Sequence, residues 1–178
     1  MIHKIIGEIN SAKDTFGVMC KKYTGSLTVE IIKNALSLSL PINKIDISPR
    51  DVFIRGVPSE IDFVIAKKGA IAQNCLVYEP SDILWVFEIK NSGSFSKETI
   101  SSIRNNFQKI KNCNPEIECF YLTLSELIGY KWAITEENLA FPSFTLFWHS
   151  RSGKNKKFEP TKDWENMINK MTNRLENI

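Results

Sequence analysis

The chain has 178 residues, and its 43% hydrophobic and 24% charged content is ordinary for one globular α/β domain with a sizeable core. The net charge of +3 permits a polyanionic partner without demanding one, so a basic patch would have to be local. The longest apolar runs, such as Ile83-Leu84-Trp85-Val86-Phe87, are far too short to cross a bilayer, and no membrane span is expected.

Met1 to Glu8 holds no long apolar core with a small-residue cleavage site, so no secretory signal and a cytoplasmic location are expected. A helix is predicted from about Thr24 to Leu40, marked at its start by Gly25-Ser26 and stopped by Pro41. Asp51 to Arg55 reads as a short strand and Gly56-Val57-Pro58-Ser59 as a turn. Glu60 to Ala66 is rich in β-branched and aromatic residues and reads as a strand. A further short strand is expected around Ile71 to Val77. Asp82 to Lys90 is the strongest strand signal, almost continuously apolar as a strand covered on both faces should be.

Beyond the Asn91-Ser92-Gly93-Ser94 loop, Lys97 to Asn112 predicts an amphipathic helix with Ile100, Ile103, Phe107 and Ile110 as its apolar stripe. Glu118 to Leu124 follows as a strand, with a short helix near Ser125, a late strand over Phe144 to His149, and a helix from Thr161 to Leu175. This order gives an α/β fold, a mixed central sheet flanked by helices. No repeat or linker divides it, so residues 1–178 read as a single domain.

Charge inside apolar strands is the informative anomaly. Asp62 interrupts Ile61-Asp62-Phe63-Val64-Ile65, and Glu88 and Lys90 end the strongest strand. Such groups normally pair, hold a metal or lie at an open strand end. Glu88 and Lys90, two apart, share a strand face, as do Glu60 and Asp62. If the two strands pair antiparallel, Asp62, Glu88 and Lys90 converge at one edge of the sheet. Two carboxylates and an ammonium suit phosphodiester hydrolysis. Oxygen ligands hold a hard cation such as Mg2+ (Mn2+ as substitute), and the lysine offsets charge developing on the phosphate.

Asp62 on one strand, followed by Glu88-Ile89-Lys90 on the next strong one, resembles the motif of the PD-(D/E)XK nuclease superfamily, the restriction endonuclease-like fold. The likeness covers roughly Thr24 to Leu124, with residues 125–178 as C-terminal additions. It implies an α-β-β-β-α-β core in which Asp62, Glu88 and the Ile89 carbonyl ligate the metal, with Lys90 close to the attacking water. Glu30 matches the acidic residue that members often carry on the first helix. It shares a helical face with Leu27, Ile31 and Leu38, so it is expected to point inward. Gln108 corresponds to a polar residue on the later helix. Ile61 stands where the motif name implies proline, and the spacing from Asp62 to Glu88 is long. The implied activity is DNA cleavage leaving 5′-phosphate and 3′-hydroxyl ends, as an endonuclease; a chain of this size is expected to act as a homodimer for double-strand cuts or as a monomer for nicking. The alternatives are a non-catalytic nucleic-acid-binding module and an interaction subunit of a larger restriction or defence complex.

Arg151, Lys154, Lys156 and Lys157 crowd a short loop that could grip phosphates or simply be solvated. Trp132, Trp148 and Trp164 could stack on bases, although core packing is the commoner fate. His149 reads as a strand-end histidine. Cys20, Cys75, Cys113 and Cys119 read as free thiols. Without a CxxC pair, and with His3 and His149 at opposite ends, no zinc is expected. A Walker-type glycine loop is absent too, so no nucleotide cofactor is expected.

Overall fold

The most apolar run of the chain forms an interior strand, and the rest of the architecture is built outward from it. The computed structural model describes residues 3–5, 7, 8, 11, 21–91, 95–130, 139–150 and 158–178. In chain order these form α1 (Lys21–Ser39), β1 (Ile45–Ile47), β2 (Phe53–Ile54), β3 (Phe63–Lys67), β4 (Val77–Tyr78) and β5 (Ile83–Lys90). Then come α2 (Lys97–Cys113), β6 (Glu118–Leu127), β7 (Ser143–His149), β8 (Phe158–Pro160) and α3 (Asp163–Glu176).

Six strands make one mixed sheet in the order β1-β3-β5-β6-β7-β8. β3 pairs antiparallel with both β1 and β5; β5, β6 and β7 run parallel, and β8 returns antiparallel. β2 and β4 stand apart as a parallel pair. The short strand expected around Ile71 to Val77 is therefore reduced to Val77–Tyr78 and does not come between β3 and β5. Ser125 itself is strand, because Ser125, Glu126 and Leu127 pair with Phe147, Trp148 and His149 of β7, and the expected short helix follows later as a single 3-10 turn over Ile128–Tyr130.

β5 alternates between two cores. Trp85, Phe87 and Ile89 face α1 and α3, while Val86 faces α2. On the first side Phe63 stacks on Phe87 with ring centroids 4.6 Å apart, and α3 adds Trp164, Met167, Met171 and Leu175 at helical spacing. On the second side α2 contributes Ile103, Phe107 and Ile110. Ser96 caps α2 by accepting the Thr99 N–H through its side chain. This is the three-layer arrangement that a nearly unbroken apolar strand demands.

Arg174 locks α3 to the sheet. Its guanidinium donates to the Leu84 carbonyl and to Glu118 Oε1, both at 3.0 Å, and to the Glu116 carbonyl at 2.7 Å. It also lies over the Trp85 ring, 5.0 Å from its centroid. No helix among the described residues is long and apolar enough to cross a membrane.

Candidate active site

The antiparallel pairing of β3 with β5 sets Phe63 opposite Phe87. Just beyond the end of this register the chain bends at Asp62, which reaches the backbone of Ile89 and lies within electrostatic range of Glu88 and Lys90. Lys90 stands two residues on from Glu88, on the same strand face. The three groups meet where apolar packing gives out: β5 is buried through Phe87, then Glu88 and Lys90 are only partly covered.

The contacts are specific. Asp62 Oδ2 accepts the Ile89 backbone N–H at 2.5 Å. Lys90 Nζ donates to Glu88 Oε1 in a close ion pair. Burial, and then the neighbouring Glu88 charge, push the Asp62 carboxyl up to about 7, against the pull of the Ile89 N–H and Lys90. For Lys90, burial works against the ammonium, but the charge and hydrogen bond of Glu88, with Asp62, outweigh it and hold the pKa above the ordinary lysine value. In the metal-free protein Lys90 is thus a cation and not a base at neutral pH.

Asp62 and Lys90 line a cavity of about 410 Å³, together with Ser26, Arg50, Asp51 and Glu60. Gly25, Val29, Ile89 and Asn91 complete that wall. Glu88 is not part of the lining and reaches the cavity through its bond to Lys90.

Among the described residues, no group of three or more His, Cys, Asp or Glu side chains is arranged to hold a metal ion. The donor set nevertheless fits a hard divalent cation. Mg2+ is commonly bound through one or two carboxylates while keeping several waters. Asp62 and Glu88 would supply the carboxylates, and their mutual repulsion is what a dication would relieve. Asn91 Oδ1, buried without a hydrogen-bond partner among the described residues, offers another oxygen beside them.

Glu30 requires a correction. The buried residues of α1 are Thr28, Val29, Ile31, Ile32, Ala35 and Leu36, and Leu38 is 69% exposed. Glu30 lies about 200° around the helix from Ile32 at ~100° per residue, so it turns outward. Its side chain is 48% exposed, pairs with Lys33 at 3.2 Å, and does not line the cavity; Ser26 and Val29 do.

Gln108 also lies elsewhere. It is exposed, donates to Asn112 Oδ1 at 2.9 Å, and lines a separate cavity of about 470 Å³ with Lys111 and Lys170. Arg151, Lys154, Lys156, Lys157 and Trp132 lie outside the described residues. His149 is buried against Phe158, with Nδ1 3.2 Å from the Ser150 carbonyl oxygen. Trp164 is core, and Trp148 is half-buried. Arg50 and Asp51 escaped the sequence reading because nothing local marks them. A long-range bridge between Val52 and Ile61 brings them to Asp62.

No family model matches the chain, and a comparison with curated proteins finds no match. Solved structures do match. NucC from P. aeruginosa ATCC27853 in its cAAA-bound form superposes with a TM-score of 0.67 at 11% identity, over 98% of this chain and 87% of that one. NucC from E. coli MS115-1 in its cAAA-bound form gives 0.66 at 11% identity, over 98% and 86%. The apo form of the latter gives 0.53 at 11% identity, over 95% and 90%. The shared architecture is a restriction endonuclease-like α/β core, a mixed sheet flanked by helices.

Proposed function

We propose that this chain is a metal-dependent nuclease that hydrolyses phosphodiester bonds of DNA, with Asp62, Glu88 and Lys90 as its reacting centre. The observation that carries the reading is the meeting of two carboxylates and a lysine at the ends of two interior strands, in a fold shared with NucC. In this reading Asp62, Glu88 and the Ile89 carbonyl hold Mg2+ or Mn2+. When bound, the ion supplies Lewis-acid polarisation of the phosphate and a more acidic water. Lys90 Nζ, held as an ammonium by Glu88, orients water and offsets negative charge that grows on the phosphate oxygens. The Ile89 N–H fixes the Asp62 carboxylate while leaving Oδ1 for the cation. A chain of this size cutting both strands of a duplex would act as two copies.

The test is cleavage of labelled duplex, branched and single-stranded DNA by purified protein with Mg2+ and Mn2+, beside Asp62→Asn and Lys90→Ala. The reading expects metal-dependent products from the wild type and none from either variant. A folded wild type that binds DNA yet cuts nothing with either metal favours the non-catalytic alternative.

One observation favours a refinement. The fold agrees with the two cAAA-bound NucC structures at TM-scores of 0.67 and 0.66, against 0.53 for the apo form. We infer that this chain binds the cAAA carried by those two structures and that this binding alters its cleavage rate. A rate unchanged by added cAAA would reject this.

A further inference from the structure

The cavity that holds Asp62 is short of available positive charge. Asp51, Glu60 and Asp62 all line it, and Lys90, paired with Glu88, is committed to the reacting phosphate in the reading above. A phosphodiester entering this space needs a cation with open donors. Arg50 supplies one. It lies on the wall of the cavity, and its Nε donates to Asp51 Oδ2 at 3.1 Å. Among the described residues the guanidinium makes no other hydrogen bond or ion pair, so its amino N–H groups remain open.

The placement of Arg50 is tied to that of Asp62 through the backbone. The Asp51 N–H donates to the Asp62 carbonyl at 3.0 Å. Val52 and Ile61 exchange both of their backbone hydrogen bonds at 2.9 Å. Asp51 adopts a left-handed φ of 58°, which aspartate tolerates better than most residues. The side chain of Arg50 is 32% exposed, open enough to meet a substrate. Tethering at Nε leaves the fork of a planar guanidinium free for two phosphate oxygens.

We infer that Arg50 is a phosphate-binding residue of this cavity, oriented by Asp51, and that it grips a backbone phosphate of the nucleic-acid strand held for cutting. This rests on the phosphodiester reading above. A mere surface pair between adjacent residues would leave substrate handling untouched when Arg50 is replaced.

The experiment compares wild type, Arg50→Gln and Arg50→Lys, all in the full chain. Binding of a labelled DNA duplex is read by anisotropy in EDTA over a salt series, and cleavage is read in Mg2+. Arg50→Gln is expected to weaken binding roughly tenfold and to reduce the slope of log affinity against log salt by about one. KM rises by a similar factor while kcat stays within about threefold. Arg50→Lys restores the salt slope and only part of the affinity, because the point charge returns without the fork. Wild-type affinity, slope and KM in Arg50→Gln overturn the inference. So does an equal loss in both variants that tracks a lowered melting temperature. If the wild type binds DNA but never cuts it, the nuclease reading falls while the anisotropy series still judges Arg50. If the wild type does not bind DNA, both fall.

Discussion

Asn in place of Asp62 removes a charge that the metal-free fold holds at a cost, and the size of that cost can be worked from the site. Burial and Glu88 push the carboxyl from 3.8 to about 7. An acid that binds its proton more tightly when folded loses stability as pH rises. The loss begins above the unfolded value near 3.8 and is complete above about 7. At ~1.4 kcal/mol per factor of ten, that span is at most about 4 kcal/mol. Roughly 2–3 kcal/mol of it falls between about pH 5 and pH 8. Water at the cavity mouth screens part of the effect, so about 2 kcal/mol is the working figure. Asn keeps an oxygen to accept the Ile89 N–H, so the exchange deletes charge and little else. In EDTA at about pH 8, Asp62→Asn should therefore melt roughly 4–8 °C above the wild type. At about pH 5 the gap should shrink by more than half. Saturating Mg2+ should narrow or reverse it, because only the wild type gains the binding free energy of the ion. Differential scanning calorimetry at both pH values, with and without metal, reads all of this. An Asp62→Asn variant that melts below the wild type in EDTA at pH 8, or a gap independent of pH, would refute the reasoning.

Three further outcomes are expected. Lys90→Met should lower the cleavage rate by roughly 10²–10³-fold with little loss of DNA affinity, as measured by single-turnover kinetics beside anisotropy, since the charge acts on the transition state. Apparent Mg2+ affinity should rise with pH and level off above about 7, with proton release on binding that calorimetry in buffers of different ionisation enthalpy can count. Arg174→Ala should cost roughly 2–3 kcal/mol in urea unfolding, because it takes a donor from two backbone carbonyls, leaves Glu118 with Lys170 alone and uncovers Trp85. An Arg174→Ala cost below about 1 kcal/mol would mean that α3 is held by its apolar stripe alone.

Elements with strong periodicity could be read from the chain alone. The apolar run of β5 and the stripe of α2 announce their partners, because burial on two faces or one leaves a pattern in the residues themselves. β1 escaped: Ile45-Asp46-Ile47 is too short for alternation to register, and only pairing with Ile65, Ala66 and Lys67 makes it a strand. β8 escaped for the same reason, with three exposed residues paired to β7. Segments of two or three residues are specified by their neighbours, and local composition cannot show it.

The same division runs through the site. Strand alternation places Glu88 and Lys90 on one face from sequence, but their meeting with Asp62 depends on a register that only β3 and β5 together determine. That register also explains why the charges stand where they do. Phe63 on Phe87 is the last pair of the register, and Asp62 and Glu88, one residue further along each chain, are the first polar positions beyond it. Moving the carboxylates one pair inward would bury them under α1 and α3, where a one-residue slip exchanges the faces of every side chain. One pair outward would leave them in bulk solvent, where the repulsion that readies them for a cation is screened. Glu30 fails as a member of this set for a related reason. A helix turns about 100° per residue, so one wrong choice of buried stripe carries a carboxylate from the cavity to the solvent.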